Sequence, residues 1–207
     1  QKKNEIRDAD IGTFMHDVFF KFLKAFCNSE TRSEVYGQHG EKLPEYIHAL
    51  TESYTTSMFG QGHADGKLGI LSKRLERAAL VAVKNLSEEF LTSKFYPCAF
   101  EYSIGENAAE RQSSKILLSD GCTVRIFGAV DRIDTYTQDN KTYLRVIDYK
   151  TGSRKFDLDE IKKGRNMQLF LYLSTLCEAK PSAFGENIIP AGVLYMYTKP
   201  PSLSFAS

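Results

Sequence analysis

Near residue 95 the spacing of apolar residues changes from one that suits helices to one that suits strands, and few folds accommodate that order. Upstream, Ile11, Phe14, Met15, Val18, Phe19, Phe22, Leu23 and Phe26 recur at helical spacing just after Asp8 and Asp10, which suit a helix start. A weaker helical stretch covers 44–59, and a longer helix is read from Leu68, Leu71, Leu75, Ala79, Ala82, Leu86 and Phe90. The glycine-rich GQGHADGK breaks the two apart. Downstream, Phe100, Tyr102 and Ile104 alternate with polar neighbours, as along one face of a strand. Ser119-Asp120-Gly121 predicts a hairpin turn between KILL and TVRIFGAVDRID, and Gln138-Asp139-Asn140 a second one before YLRVIDYK. Three strands in meander order are expected. A helix over 158–179 should carry Met167, Phe170, Leu171 and Ser174 along one side, and AGVLYMY supplies a last strand. The expected fold class is α/β: a mixed central sheet flanked by helices, with an N-terminal helical region. Within one overall domain, 1–94 forms the helical part and 95–207 the sheet-bearing core.

Composition narrows the function classes. The 27 basic and 26 acidic side chains leave a net charge of +1, so any nucleic-acid contact has to be local. Cysteines at 27, 98, 122 and 177 lack the close pairs of zinc sites and suit reduced thiols in a cytoplasmic protein. No apolar run reaches the roughly 20 residues that span a bilayer, so no membrane partner is expected. In GQGHADGK, Gln61 stands where a phosphate loop needs its first glycine and Leu68 where it needs Ser or Thr. His39, His48 and His63 show no metal-ligand spacing.

The chemistry concentrates in two short segments. Strand alternation in VIDYK puts Asp148 and Lys150 on one face and Tyr149 on the other. In GAVDRID, Asp131 can reach Asp148 from a neighbouring antiparallel strand, giving two hard oxygen ligands suited to Mg²⁺. A bound divalent ion with a nearby ammonium is what phosphodiester hydrolysis requires. The bland alternative is a salt bridge between Asp148 and Lys150 across an exposed strand face. Gln168 and Tyr172, four apart, share a helix face that suits contact with a DNA phosphate or strand end; equally, they read as a solvated edge and a buried aromatic. The basic cluster Arg154, Lys155, Lys162, Lys163 and Arg165 reads either as a phosphate track or as a solvated surface.

Taken together, GTFMHDVF, FYPCAFEYSIG, FGAVDRID, LRVIDYKTG, MQLFLYL and AGVLYMY resemble, in order and over most of the chain, the RecB-like PD-(D/E)xK nucleases. Within that family the resemblance is to the C-terminal nuclease domain of AddB-type helicase-nuclease subunits. It implies a restriction-endonuclease-like core and an Mg²⁺- or Mn²⁺-dependent deoxyribonuclease, acting as an exonuclease on single strands that a helicase delivers. Asp131, Asp148 and Lys150 take the catalytic roles. His16 and the main-chain carbonyl of Tyr149 join Asp131 and Asp148 as metal ligands, although His16, beside Gly12, Phe19 and Leu23, also fits a hydrogen-bonded core histidine. Glu101 matches an often acidic position of the family, which implies a catalytic role supporting the site or binding a second ion, with a structural salt bridge as its alternative. Gln168, Tyr172, Arg154, Lys155 and Arg165 are the substrate-binding candidates.

DNA and a helicase-nuclease partner subunit are the implied partners, in DNA repair and recombination. The alternative is a catalytically inactive DNA-binding or scaffolding module with the same fold. Full-length members of the family hold an iron-sulfur cluster through cysteines flanking the domain. The four cysteines here are too dispersed for one cluster, so the chain is expected to be a cluster-free piece of a longer protein.

Overall fold

A computed structural model describes residues 8–60, 66–150 and 157–198. Most of GQGHADGK, with His63, lies outside the described residues, as do Thr151, Gly152, Arg154 and Lys155. The chain divides into two compact units: Gln1–Thr92 with Lys150–Ser153 and Tyr197–Ser207, and Ser93–Tyr149 with Arg154–Met196.

The first unit is helical, with α1 (Asp8–Cys27), α2 (Arg32–Val35), α3 (Leu43–Phe59) and α4 (Gly66–Thr92). Phe14, Val18, Phe19, Phe22 and Leu23 of α1 are fully buried, as the helical spacing requires, together with Ile47 of α3 and Leu75, Ala79, Val83, Leu86 and Phe90 of α4. Each buried large apolar side chain stabilises this unit by about 1.5–3 kcal/mol. On α4 the core position is Val83, not Ala82, because Val83 lies one turn from both Ala79 and Leu86. Tyr54 packs on Phe14 with ring centroids 5.0 Å apart and donates its hydroxyl to the Asp10 carbonyl at 3.1 Å.

The second unit contains β1 (Tyr96–Ile104), α5 (Ala108–Ser113), β2 (Lys115–Leu117), β3 (Thr123–Arg125), β4 (Gly128–Gln138), β5 (Lys141–Lys150), α6 (Leu158–Lys162), α7 (Gln168–Glu178) and β6 (Ile188–Tyr197). The main sheet has the order β1-β4-β5-β6, and β1, β4 and β5 pair antiparallel in turn; the neighbour of β4 is β1, not the KILL segment that the sequence reading joins to it by a hairpin. Thr142 N donates to the Asn187 carbonyl near the start of β5, and Thr198 N to the Lys150 carbonyl at its end. Strands β5 and β6 therefore run parallel, which makes the sheet mixed. Asp139 (φ 51°) and Asn140 (φ 57°) form the tight turn of the β4–β5 hairpin, where both residues must be left-handed.

Three details differ from the sequence reading. TVRIFGAVDRID is not one strand: β2 and β3 form a separate two-stranded ribbon around the Asp120 turn, and β4 starts only at Gly128. The helix expected over 158–179 is two, because Gly164 (φ 74°) ends α6 and Asn166 (φ 56°) turns the chain before α7. The buried stripe of α7 is Leu169, Tyr172, Leu173 and Leu176, so Phe170, Leu171 and Ser174 do not form the core face. The sequence pattern also gives no sign of the short helix α5, capped by Asn107 accepting from Glu110 N. No helix among the described residues is long and apolar enough to cross a membrane.

Candidate metal and phosphodiester site

Register brings the acidic residues together. The β4–β5 ladder runs from Gln138↔Lys141 to Arg132↔Ile147, so Asp131 and Asp148 are the next residues beyond its end on neighbouring strands. The Asp131 carboxylate accepts the main-chain N–H of Tyr149 at 2.5 Å, taking the place of a ladder bond at the strand end. On the other side of β4, Phe100 pairs with Arg132 and Tyr102 with Val130, which leaves Glu101 facing Asp131. Glu101 and Asp131 each present a carboxylate oxygen, the two within 4.8 Å of one another.

This edge departs from regular strand geometry. Ala99, Tyr102 and Ile104 of β1 all pack toward the apolar core under α7, as do Val130 and Ile133 of β4. Strict alternation cannot put positions 99 and 102 on the same face. Glu101, at φ 46°, lies between them and absorbs the mismatch, while the register shift of the β1–β4 pair lies elsewhere, between Pro97 and Ala99. The expected grouping of Phe100 with Tyr102 and Ile104 is thereby corrected. A left-handed glutamate is uncommon, and such backbone strain tends to gather at functional sites.

Glu101 is exposed, Asp131 and Asp148 are half-buried, and Asp148 Oδ2 is shielded from solvent. Carboxylates facing one another across neighbouring strands repel, a cost that a bound cation removes. The donors suit a small hard cation: oxygen ligands of one hexacoordinate Mg²⁺ lie about 3–4 Å apart, and carboxylates are its usual protein ligands. Lys150, the last residue of β5, is exposed and two positions beyond Asp148.

The opposite face of the same strands holds a network that no sequence motif announces. Asp134, fully buried, takes Arg132 Nε at 2.9 Å and Arg145 Nε at 2.9 Å, and Arg132 Nη1 reaches the Tyr149 hydroxyl at 3.5 Å. Burial pushes the Asp134 carboxyl up from its ordinary value, and the guanidiniums of Arg132 and Arg145 pull it back. The Tyr149 phenol is raised, chiefly by burial. The one available signal is that Arg132 and Asp134 stand at alternate positions of GAVDRID, beside Asp131.

Gln168 begins α7 with its side chain exposed, and its Nε2 donates to the Tyr172 hydroxyl at 2.6 Å. Tyr172 is buried and donates in turn to the Phe127 carbonyl at 3.3 Å. A Cβ at position 128 would collide with that hydroxyl, which explains the glycine there. Arg165 pairs with Glu160 at 2.7 Å and Lys162 with Asp159 at 3.2 Å, on the surface. His16 is half-buried on α1 in the helical unit.

A family model for the PD-(D/E)XK nuclease superfamily matches residues 1–206. The chain belongs to that superfamily. Among curated relatives of this PD-(D/E)XK chain, an ATP-dependent helicase/deoxyribonuclease subunit of Ruminiclostridium cellulolyticum is 32% identical over 196 residues, covering 94% of this chain and 17% of the relative. The protein of the same name from Acetivibrio thermocellus is 33% identical over 193 residues, 92% of this chain and 16% of its own length. That of Carboxydothermus hydrogenoformans is 44% identical over 111 residues, 54% of this chain and 10% of its own. The PD-(D/E)XK chain thus spans about one sixth of the length of the first two relatives.

Proposed function

We propose that this chain is a Mg²⁺- or Mn²⁺-dependent deoxyribonuclease, acting as an exonuclease on single strands delivered by a helicase within a DNA repair and recombination assembly. The observation that carries the reading is the Glu101–Asp131 carboxylate pair, oxygens within 4.8 Å, on paired strands of which β4 adjoins the strand that carries Asp148 and Lys150. The superfamily match and the names of the relatives support it.

Asp131, Asp148 and the Tyr149 carbonyl hold the ion, and Glu101 supports it from β1. His16 completes the ligand set, an assignment that rests on its place in the GTFMHDVF motif. When bound, the ion neutralises the scissile phosphate and lowers the pKa of a coordinated water. Lys150 presents its ammonium to that water and to the charge building on the phosphate. Gln168 contacts the substrate strand while Tyr172, anchored on Phe127, keeps its amide in place. Arg165, with Arg154 and Lys155, tracks the phosphates. The proposed partners are DNA and a helicase-nuclease subunit, and the proposed compartment is the cytoplasm.

The test is incubation of the chain with end-labelled single- and double-stranded DNA in Mg²⁺, in Mn²⁺ and in EDTA. Metal-dependent release of short products from single-stranded ends is expected. Cleavage that survives EDTA would overturn the metal assignment, and DNA binding by a folded protein with no cleavage in either metal would establish the inactive scaffolding alternative.

A further inference from the structure

The Arg132–Asp134–Arg145 network costs free energy that an apolar cluster of the same volume would not, since burying three charges forfeits their hydration. Its distinctive product is direction. Asp134 is gripped from both sides, by Arg132 through Nε at 2.9 Å and Nη2 at 3.2 Å, and by Arg145 through Nε at 2.9 Å and Nη2 at 2.8 Å. So held, the Arg132 guanidinium stands 5.9 Å from the centre of the Tyr149 ring and reaches its hydroxyl. Arg145 is braced in turn on Phe95, 4.6 Å from the ring centroid. Tyr149 is the residue between Asp148 and Lys150, its ring on the network's face and its N–H on Asp131. In an extended strand the N–H and C=O of one residue point to the same side, so fixing the ring also fixes where the carbonyl is aimed.

We propose that Arg132, Asp134 and Arg145 are positioning residues: from the far face of the sheet they clamp the Tyr149 side chain and so hold its peptide in line with Asp131. The inference rests on the proposed metal site, in which Asp131 and the Tyr149 carbonyl border the ion. Groups that orient metal ligands from behind typically change affinity by about 10–100-fold when removed. The first GAVDRID aspartate is thus a ligand, while the arginine and second aspartate of that motif keep the neighbouring strand in shape for it.

The test replaces the network by apolar residues, Arg132→Met with Asp134→Leu and Arg145→Met, a change of a kind that buried ion clusters often tolerate without loss of fold. Arg132→Lys, which keeps the charge but not the planar fork, is the milder companion. Two quantities are read: Mn²⁺ affinity by electron paramagnetic resonance, and hydrogen exchange of the Tyr149 amide in metal-free protein. Expected are Mn²⁺ binding weakened by about 10-fold or more and faster exchange at Tyr149 in the triple variant, with smaller changes of the same sign in Arg132→Lys. Leu176→Ala, a core truncation under α7, should lower stability without either change. Wild-type Mn²⁺ affinity and wild-type Tyr149 exchange in the folded triple variant, or in Arg132→Lys should the triple variant not fold, would overturn the clamp. If wild-type protein lacks a Mn²⁺ site that Asp131→Asn removes, the metal reading fails instead, and the exchange measurement alone then decides whether the clamp exists.

Discussion

Gly128→Ala tests how closely helix α7 is fitted to the start of strand β4. Gly128 is not in the left-handed region, so alanine meets no backbone penalty, and any loss of stability comes from the new methyl group. That methyl would overlap the hydroxyl and ring of Tyr172, a buried side chain whose hydroxyl is held by Gln168 and by the Phe127 carbonyl. Overpacking of this kind costs about 1–3 kcal/mol. If relief requires the hydroxyl to leave its partners, the unsatisfied buried oxygen adds about 1–3 kcal/mol. The sum, about 2–6 kcal/mol, is a large fraction of a typical domain's stability. A double-mutant cycle with Tyr172→Leu, which removes the colliding atoms, separates this from a general weakness at the strand end. Urea unfolding followed by circular dichroism should give a coupling of about 1.5 kcal/mol or more, with Gly128→Ala nearly harmless in the Tyr172→Leu background. Equal costs in the two backgrounds, within about 0.5 kcal/mol, would refute the fit of Gly128 to Tyr172.

Asp148→Ala should abolish cleavage while circular dichroism shows the fold retained, and Ca²⁺ should bind yet support little turnover; cleavage in Ca²⁺ as fast as in Mg²⁺ would contradict the mechanism. Lys150→Ala should lower turnover by about 10² or more with DNA affinity unchanged within a few-fold, so a variant that mainly loses DNA binding would reassign the lysine. Burial and the Glu110 hydrogen bond raise the Tyr102 phenol from 10.0 to about 12. Both folded and unfolded chains are protonated there below pH 10; above it the unfolded chain loses its proton first, so this contribution to stability should fade between pH 10 and 12. Denaturation midpoints measured across that window should fall with pH, and less steeply in Tyr102→Phe.

What was legible in the sequence was whatever depends on near neighbours. Helix α1, the two-residue turn at Asp139-Asn140 and the strand carrying Asp148 follow from spacing and turn chemistry within a few positions, and so do the segments that hold the acidic residues. The sequence offers Asp131 as a partner of Asp148 and Glu101 as an often acidic position of the family it resembles; that Glu101 and Asp131 face each other depends on pairing β1 with β4, residues about 30 apart in the chain. The break in alternation at Glu101 was illegible for the same reason, since a left-handed residue leaves no trace in a pattern of apolar and polar positions. The buried face of α7 shifted because a short helix with apolar residues on several sides is rotated by what it packs against, here Val130 and Ile133. Nothing in the sequence assigns Arg132 and Asp134 to the interior; they are buried in the fold, where Arg145 arrives from the adjacent strand to share Asp134. Local chemistry thus locates most of the longer helices and strands and the candidate reactive groups, whereas facing, burial and partnership are set by strand register and packing, which join residues that the chain itself keeps apart.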